Sequence, residues 1–108
     1  MNKNKLRKIL IKIFIKHGLN KIHAKICAEA LINAELVGAY GHGLSSLKMS
    51  CDRISKKVIN PKPKIKIKKI SSSISHIDAK NSIGFVAADL GIKTAIKHAQ
   101  KTGIGMVA

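Results

Sequence analysis

The residues best equipped for chemistry in this chain lie in Gly38-Ala-Tyr-Gly-His-Gly-Leu-Ser45, where one histidine stands between two glycines just after an apolar helical pattern. Glycine on both sides of His42 removes side-chain bulk, so backbone and a ligand can approach the imidazole closely. Imidazole titrates near neutrality and is the usual proton carrier where a reaction needs one. The same glycines also suit a plain helix-terminating turn. His17, His23, His76 and His98 have no metal-ligand spacing to one another or to cysteine, so they read as surface or boundary residues and no metal is expected. Asp52 and Arg53 either pair locally or face a site. Asp78 and Asn81 suit a turn held by side-chain to backbone hydrogen bonds. Gly84 opens a helix, where free N–H groups cap or attract an anion.

The elements that must position these groups follow from periodicity. Leu6, Ile9, Leu10, Ile13 and Phe14 recur at offsets of three and four, which predicts an amphipathic helix over 3–16 that ends at His17-Gly18. A second helix is expected from Lys21 to Val37, with Asn20 as N-cap and Ile22, Ile26, Ala30 and Ala34 on one face. Small residues at Ala24, Ala28, Ala30 and Ala34 would admit a close neighbour. A third helix is expected over 44–55. Asn60-Pro-Lys-Pro63 then fixes an extended bend. Lys64-Ile-Lys-Ile-Lys68 alternates strictly, the pattern of a strand with one wet and one buried face, and Ile74-Ser-His-Ile-Asp78 makes a second strand. A fourth helix follows over 84–102, stopped by Gly103, and Ile104 to Ala108 begins a further strand. Met49 and Met106 read as core filler. The expectation is an α+β fold with a helical segment over 1–58 and the start of a catalytic domain over 59–108. A strand cut off so near its start leaves backbone groups without partners, so the chain reads as the N-terminal part of a longer protein.

Composition narrows the functions. At 108 residues with 45% apolar content, the chain is long enough for one small core and too apolar for a disordered tail. A formal charge of +16 would ordinarily point to nucleic acid or an anionic surface. Of 21 basic side chains only Arg7 and Arg53 are arginine, the residue that reads base edges and phosphates bidentately, and the lysines are scattered along the whole length. Lysine, isoleucine and asparagine share A/T-rich codons, so drift in an A/T-biased genome accounts for the charge. Neither specific nucleic-acid binding nor a membrane location is expected. Cys27 and Cys51 read as reduced thiols of a cytoplasmic protein.

Ordered along the chain, Ala34-Glu-Leu-Val-Gly38, Gly41-His-Gly43, Asp52-Arg-Ile54, Ile59-Asn-Pro61, Asp78, Asn81, Gly84 and Gly103-Ile104 resemble the opening third of the malate/L-lactate dehydrogenase type 2 family. The resemblance runs from about Leu6 to Ala108. It implies an oxidoreductase using NAD or NADP to move hydride between nicotinamide and a 2-hydroxy or 2-oxo carboxylic acid, homodimeric at full length. It also implies a non-classical dinucleotide fold whose cofactor region lies mostly beyond Ala108, in keeping with the missing Gly-x-Gly-x-x-Gly. The family's Ser-His-Gly histidine falls on His42, giving it the role of proton donor and acceptor or substrate-oxygen ligand. The family serine is Gly41 here, its substrate-clamping arginine is Ser46, its tyrosine is Ser50, and a glutamine position is Phe85. These departures point to a changed substrate or a decayed copy that is inactive alone. A small basic nucleic-acid binder and a non-catalytic remnant of the dehydrogenase are the alternatives.

Overall fold

A computed structural model describes residues 2–108 and divides them into two compact units, one running to Lys62 and the other Pro63–Ala108. The first unit is helical. Helix α1 (Lys3–Lys16) starts at Asn2, whose side-chain oxygen accepts from the Lys5 N–H at 2.8 Å, and stops at His17. Helix α2 (Lys21–Leu36) starts the same way at Asn20, whose Oδ1 accepts from the His23 N–H at 2.8 Å. These caps satisfy amide donors that a helix start otherwise leaves unpaired.

Helix α1 packs on α2 and buries Leu10 and Phe14, while α2 buries Ala24, Cys27, Ala28, Leu31 and Ile32. The expected stripe of α2 is therefore displaced. Ile22, the first member of the Ile22/Ile26/Ala30/Ala34 row, is 73% exposed, the other three are half-buried, and the neighbouring row carries the contact. The buried face mixes sizes: Ala24, Cys27 and Ala28 leave room for Leu10 and Phe14 of α1, and Leu31 and Ile32 fill the space further along the helix. Two single 3₁₀ turns, Tyr40–His42 and Leu44–Ser46, then lead into α3 (Leu47–Ser55), so the third helix is regular only from Leu47. Cys51 and Ile54 on α3 are buried.

The second unit is a three-stranded mixed sheet with one helix. Strands β1 (Lys66–Lys69) and β2 (Ile74–Asp78) pair antiparallel, with Lys68 opposite His76. Strand β3 (Met106–Val107) joins the other side of β2 in parallel, reached through helix α4 (Gly84–Thr102), which packs on both β2 and β3. Gly103 caps α4 in the left-handed region, at φ 88°.

Three expectations change here. Strand β1 starts two residues later and ends one residue later than its alternation suggests, and all four of its residues are exposed. It is an edge strand with β2 on one side only, and α4 packs over β2 and β3, so Ile67 is left half exposed. The last strand is paired: the Met106 and Ala108 N–H groups donate to Ser73 and Ser75 carbonyls, and the Ala108 carbonyl accepts from Ile77. Met49 and Met106 are 48% and 59% exposed and fill no core.

Candidate functional site

The turn that carries His42 is built from its backbone outward. Helix α2 ends as Gly38 turns into the left-handed region (φ 79°), and the Gly38 and Ala39 N–H groups return to the Glu35 and Ala34 carbonyls. The chain then coils tightly, with His42 N–H donating to Ala39 at 2.9 Å and Ser46 N–H to Gly43 at 3.0 Å. Ser45 Oγ donates to the Tyr40 carbonyl, and Ser46 Oγ to the Gly43 carbonyl at 2.8 Å.

Glu35 fastens this turn to the end of α2. Its Oε1 accepts from the Leu44 N–H at 2.7 Å, and the carboxylate stem lies where a side chain at Gly43 would begin. A Cβ on Gly43 would sit 2.8 Å from Glu35 Cγ, so a larger residue here would push the Glu35 side chain off the turn. The glycine after His42 thus makes room for a carboxylate from within the chain. Gly41, by contrast, has open space around it.

His42 itself is exposed, and among the described residues its ring has no hydrogen-bond partner. It stands between Tyr40, 66% exposed, and the buried Gly43. A ring so placed can exchange a proton with a ligand arriving from solvent. Ser46 and Ser50 are engaged elsewhere: Ser46 Oγ donates to the Gly43 carbonyl, and Ser50, 8% exposed, donates along α3 to the Ser46 carbonyl at 3.1 Å.

Downstream on α3 the charged residues form a small concavity of about 400 Å³ lined by Ser45, Lys48, Met49, Asp52, Arg53 and Lys56. Lys48 Nζ lies 2.8 Å from Asp52 Oδ2, one turn away. The hydrogen bond from Lys48 holds the Asp52 carboxyl below its ordinary range against the opposing cost of desolvation, helped by the charges of Lys48, Lys56 and His17. Asp52 therefore pairs locally with Lys48, leaving Arg53 exposed without an ion-pair partner among the described residues.

The remaining histidines and the turn residues are placed as follows. His17 Nδ1 closes α1 on the Ile13 carbonyl at 2.8 Å. His98 of α4 meets Ser75 of β2, with Nε2 and Oγ 2.7 Å apart and Ser75 only 2% exposed. This contact had no local sequence signal, because the two residues are 23 positions apart on different elements. Asp78 accepts from the Lys80 N–H at 3.0 Å, while Asn81 serves the same turn through its left-handed backbone, φ 59°. Cys27 and Cys51 are free and buried, and burial pushes the Cys27 thiol up to about 12. Among the described residues no three His, Cys, Asp or Glu side chains group as metal ligands, and no helix is long and apolar enough to cross a membrane.

A dinucleotide cradle is not found among these residues. Gly103-Ile-Gly105 comes closest in spelling, but it leaves a helix and enters a strand, the reverse of the strand-to-helix turn that presents amides to a pyrophosphate. The groove between α4 and the sheet, about 490 Å³, is lined by alkyl groups such as Ile77, Ala87, Ile92 and Val107.

With this geometry in view, comparison with known proteins is informative. The family profile described as malate/L-lactate dehydrogenase matches residues 1–108. The malate dehydrogenase of Pyrococcus abyssi is 38% identical over 106 residues, covering 98% of this chain and 29% of that protein. The ureidoglycolate dehydrogenase (NAD(+)) of Escherichia coli K12 is 30% identical over 107 residues, 99% of this chain and 31% of that protein. Among solved structures, malate dehydrogenase from Pyrococcus horikoshii OT3 superposes with a TM-score of 0.95 at 34% identity, covering 99% of this chain and 31% of that one. The chain thus spans about 30% of the length of the relatives it matches.

Proposed function

The chain belongs to the malate/L-lactate dehydrogenase family, and from that premise we propose that it forms the substrate-side portion of an NAD- or NADP-dependent oxidoreductase acting on a 2-hydroxy or 2-oxo carboxylic acid. The observation that carries this reading is the family match along every residue of the chain. The nicotinamide, when bound, takes or gives the hydride and with it both electrons of the carbinol C–H bond. The proton of the substrate hydroxyl then needs an acceptor, and the returning carbonyl oxygen needs a donor. His42 fills that role: its ring is exposed, without an internal partner, and fixed in the chain by the Glu35 anchor next to it. In this reading the cofactor region lies mostly beyond Ala108, as the family resemblance implies, and the chain alone is inactive.

In this reading the partners are the small hydroxy or oxo acid and, at full length, a second copy of the same subunit, in the cytoplasm. The lysines form a solvated surface and bind no specific nucleic acid. The test replaces the matched first 29% of the Pyrococcus abyssi enzyme with residues 1–108 and follows nicotinamide reduction with a panel of 2-hydroxy acids. The chimera should turn over at least one acid. His42→Ala should lower kcat by roughly 10²–10⁴, the usual contribution of a positioned acid–base group. Equal rates for the two proteins would remove His42 from the reaction, and a folded chimera inert to every acid would overturn the reading.

A further inference from the structure

We infer that the concavity on α3 beside the His42 turn is an anion subsite in which Arg53, supported by Lys56, binds the carboxylate of a 2-hydroxy or 2-oxo acid. The inference rests on the proposed substrate class and adds to it the group that recognises the acid. A 2-hydroxy acid carries its carboxylate on the carbon next to the reacting one, so a cation must lie near the proton-transferring ring. Ser46 offers no charge, and its hydroxyl is committed to the Gly43 carbonyl.

Three observations converge on Arg53. First, it is free: Arg7 is paired with Glu29, Lys48 with Asp52, Lys80 with Asp78 and Lys93 with Asp89, whereas Arg53 has no such partner among the described residues. Second, it lines a concavity of about 400 Å³ whose one carboxylate, Asp52, is already neutralised by Lys48 at 2.8 Å, leaving the charges of Arg53 and Lys56 for a ligand. Third, the concavity adjoins the His42 turn. Ser45 belongs to its lining and also bonds to the Tyr40 carbonyl within that turn.

Helix geometry directs the side chains the right way. Ser45, Met49 and Arg53 recur every four residues, as do Lys48, Asp52 and Lys56, giving two adjacent rows on one face. Long helical side chains lean toward the N-terminus, which puts Arg53 on the Ser45 side of α3, and Lys56 joins the same lining from the C-cap. Guanidinium presents two parallel N–H donors to a carboxylate, which the lysines of this surface cannot do.

The test is titration of the intact 108-residue chain with L-malate, and separately with inorganic phosphate, followed by amide NMR shifts at 0.15 M NaCl. Malate should give saturable shifts centred on Ser45, Arg53 and Lys56. Arg53→Gln should weaken binding about tenfold or more, the scale of one lost charge-assisted contact. Arg53→Lys should recover only part of it, and Lys12→Gln, the same loss of charge on α1, should leave it unchanged. Absent or non-saturating shifts, equal loss in Lys12→Gln, unaltered binding in Arg53→Gln, or phosphate binding more tightly than malate would each overturn the subsite. The two readings fail separately. Arg53-dependent malate binding with turnover indifferent to His42→Ala removes only the proton-transfer role. His42-dependent turnover with Arg53-independent malate binding removes only the subsite.

Discussion

Glu35 shows how much of this site depends on a single side chain outside the motif. Its carboxylate accepts the Leu44 N–H and occupies the space next to Gly43, tying the His42 turn to α2. Glu35→Ala is expected to cost about 0.5–1.5 kcal/mol, because it removes the acceptor of an exposed backbone donor that water can then solvate. In the chimera it should also lower His42-dependent turnover while leaving Arg53-dependent malate affinity within about twofold. Gly43→Ala should be worse for the turn than Gly41→Ala, since only the first meets Glu35; thermal melts of both variants check the order. The sequence pointed to the Gly-His-Gly step, but its second glycine has a different reason. The partner that demands it lies eight positions earlier and folds back over a helix end, a relation no local pattern encodes. Cys27 supplies a pH prediction. Its folded pKa of about 12 lies above the ordinary 9.0, so the unfolded chain loses the proton first as pH rises. Its contribution is complete below about pH 9 and is lost as the pH climbs toward 12. Urea midpoints at pH 8 and 10.5 should fall further apart in the wild type than in Cys27→Ala, and a thiol reagent should reach Cys27 only on unfolding.

Element boundaries were legible because they are set by local chemistry. Asn20, Gly18 and Gly103 act within a few residues of themselves, so α1 ends just before Gly18, α2 opens at Asn20 and α4 stops at Gly103. Which face an element buries is a different kind of fact. In α2 Ile22 faces outward while Ala24, Cys27, Ala28, Leu31 and Ile32 face in, and the small residues among them leave room for Leu10 and Phe14 of α1. Filling that room should therefore destabilise: Ala28→Leu is expected to cost about 1–3 kcal/mol by overpacking, against near neutrality for Ile22→Leu on the exposed side. Urea denaturation compares the two. Strand β1 carries the opposite lesson. Its lysine–isoleucine alternation describes a half-buried strand, but alternation states only that two faces differ, and whether anything covers one is settled elsewhere in the fold. The exposed row of Lys66, Lys68 and Lys69 on that edge discourages a second strand from adding there.

For the whole molecule the decisive quantity is charge, because +16 on 108 residues will attract any polyanion to some degree. What separates a functional nucleic-acid surface from a solvated one is concentration of that charge and the donors that read bases. Here lysines run from Lys3 on α1 to Lys101 on α4, and of the two arginines one is paired with Glu29. Such a distribution can neutralise phosphates without fixing a register on a duplex. The expected behaviour is therefore weak association with DNA, in the range of roughly 10⁻⁴–10⁻⁶ M at physiological salt and indifferent to sequence. Fluorescence anisotropy with two unrelated 20-base-pair duplexes between 50 and 200 mM NaCl measures it. Steep weakening with salt and equal affinity for both duplexes fit dispersed lysines, whereas nanomolar binding at 0.15 M or a clear preference for one duplex would make the charge functional. L-malate sharpens the comparison. If Arg53 serves a small carboxylate, millimolar malate should leave DNA affinity nearly unchanged, because the duplex contacts are spread over the lysines and the acid occupies one concavity.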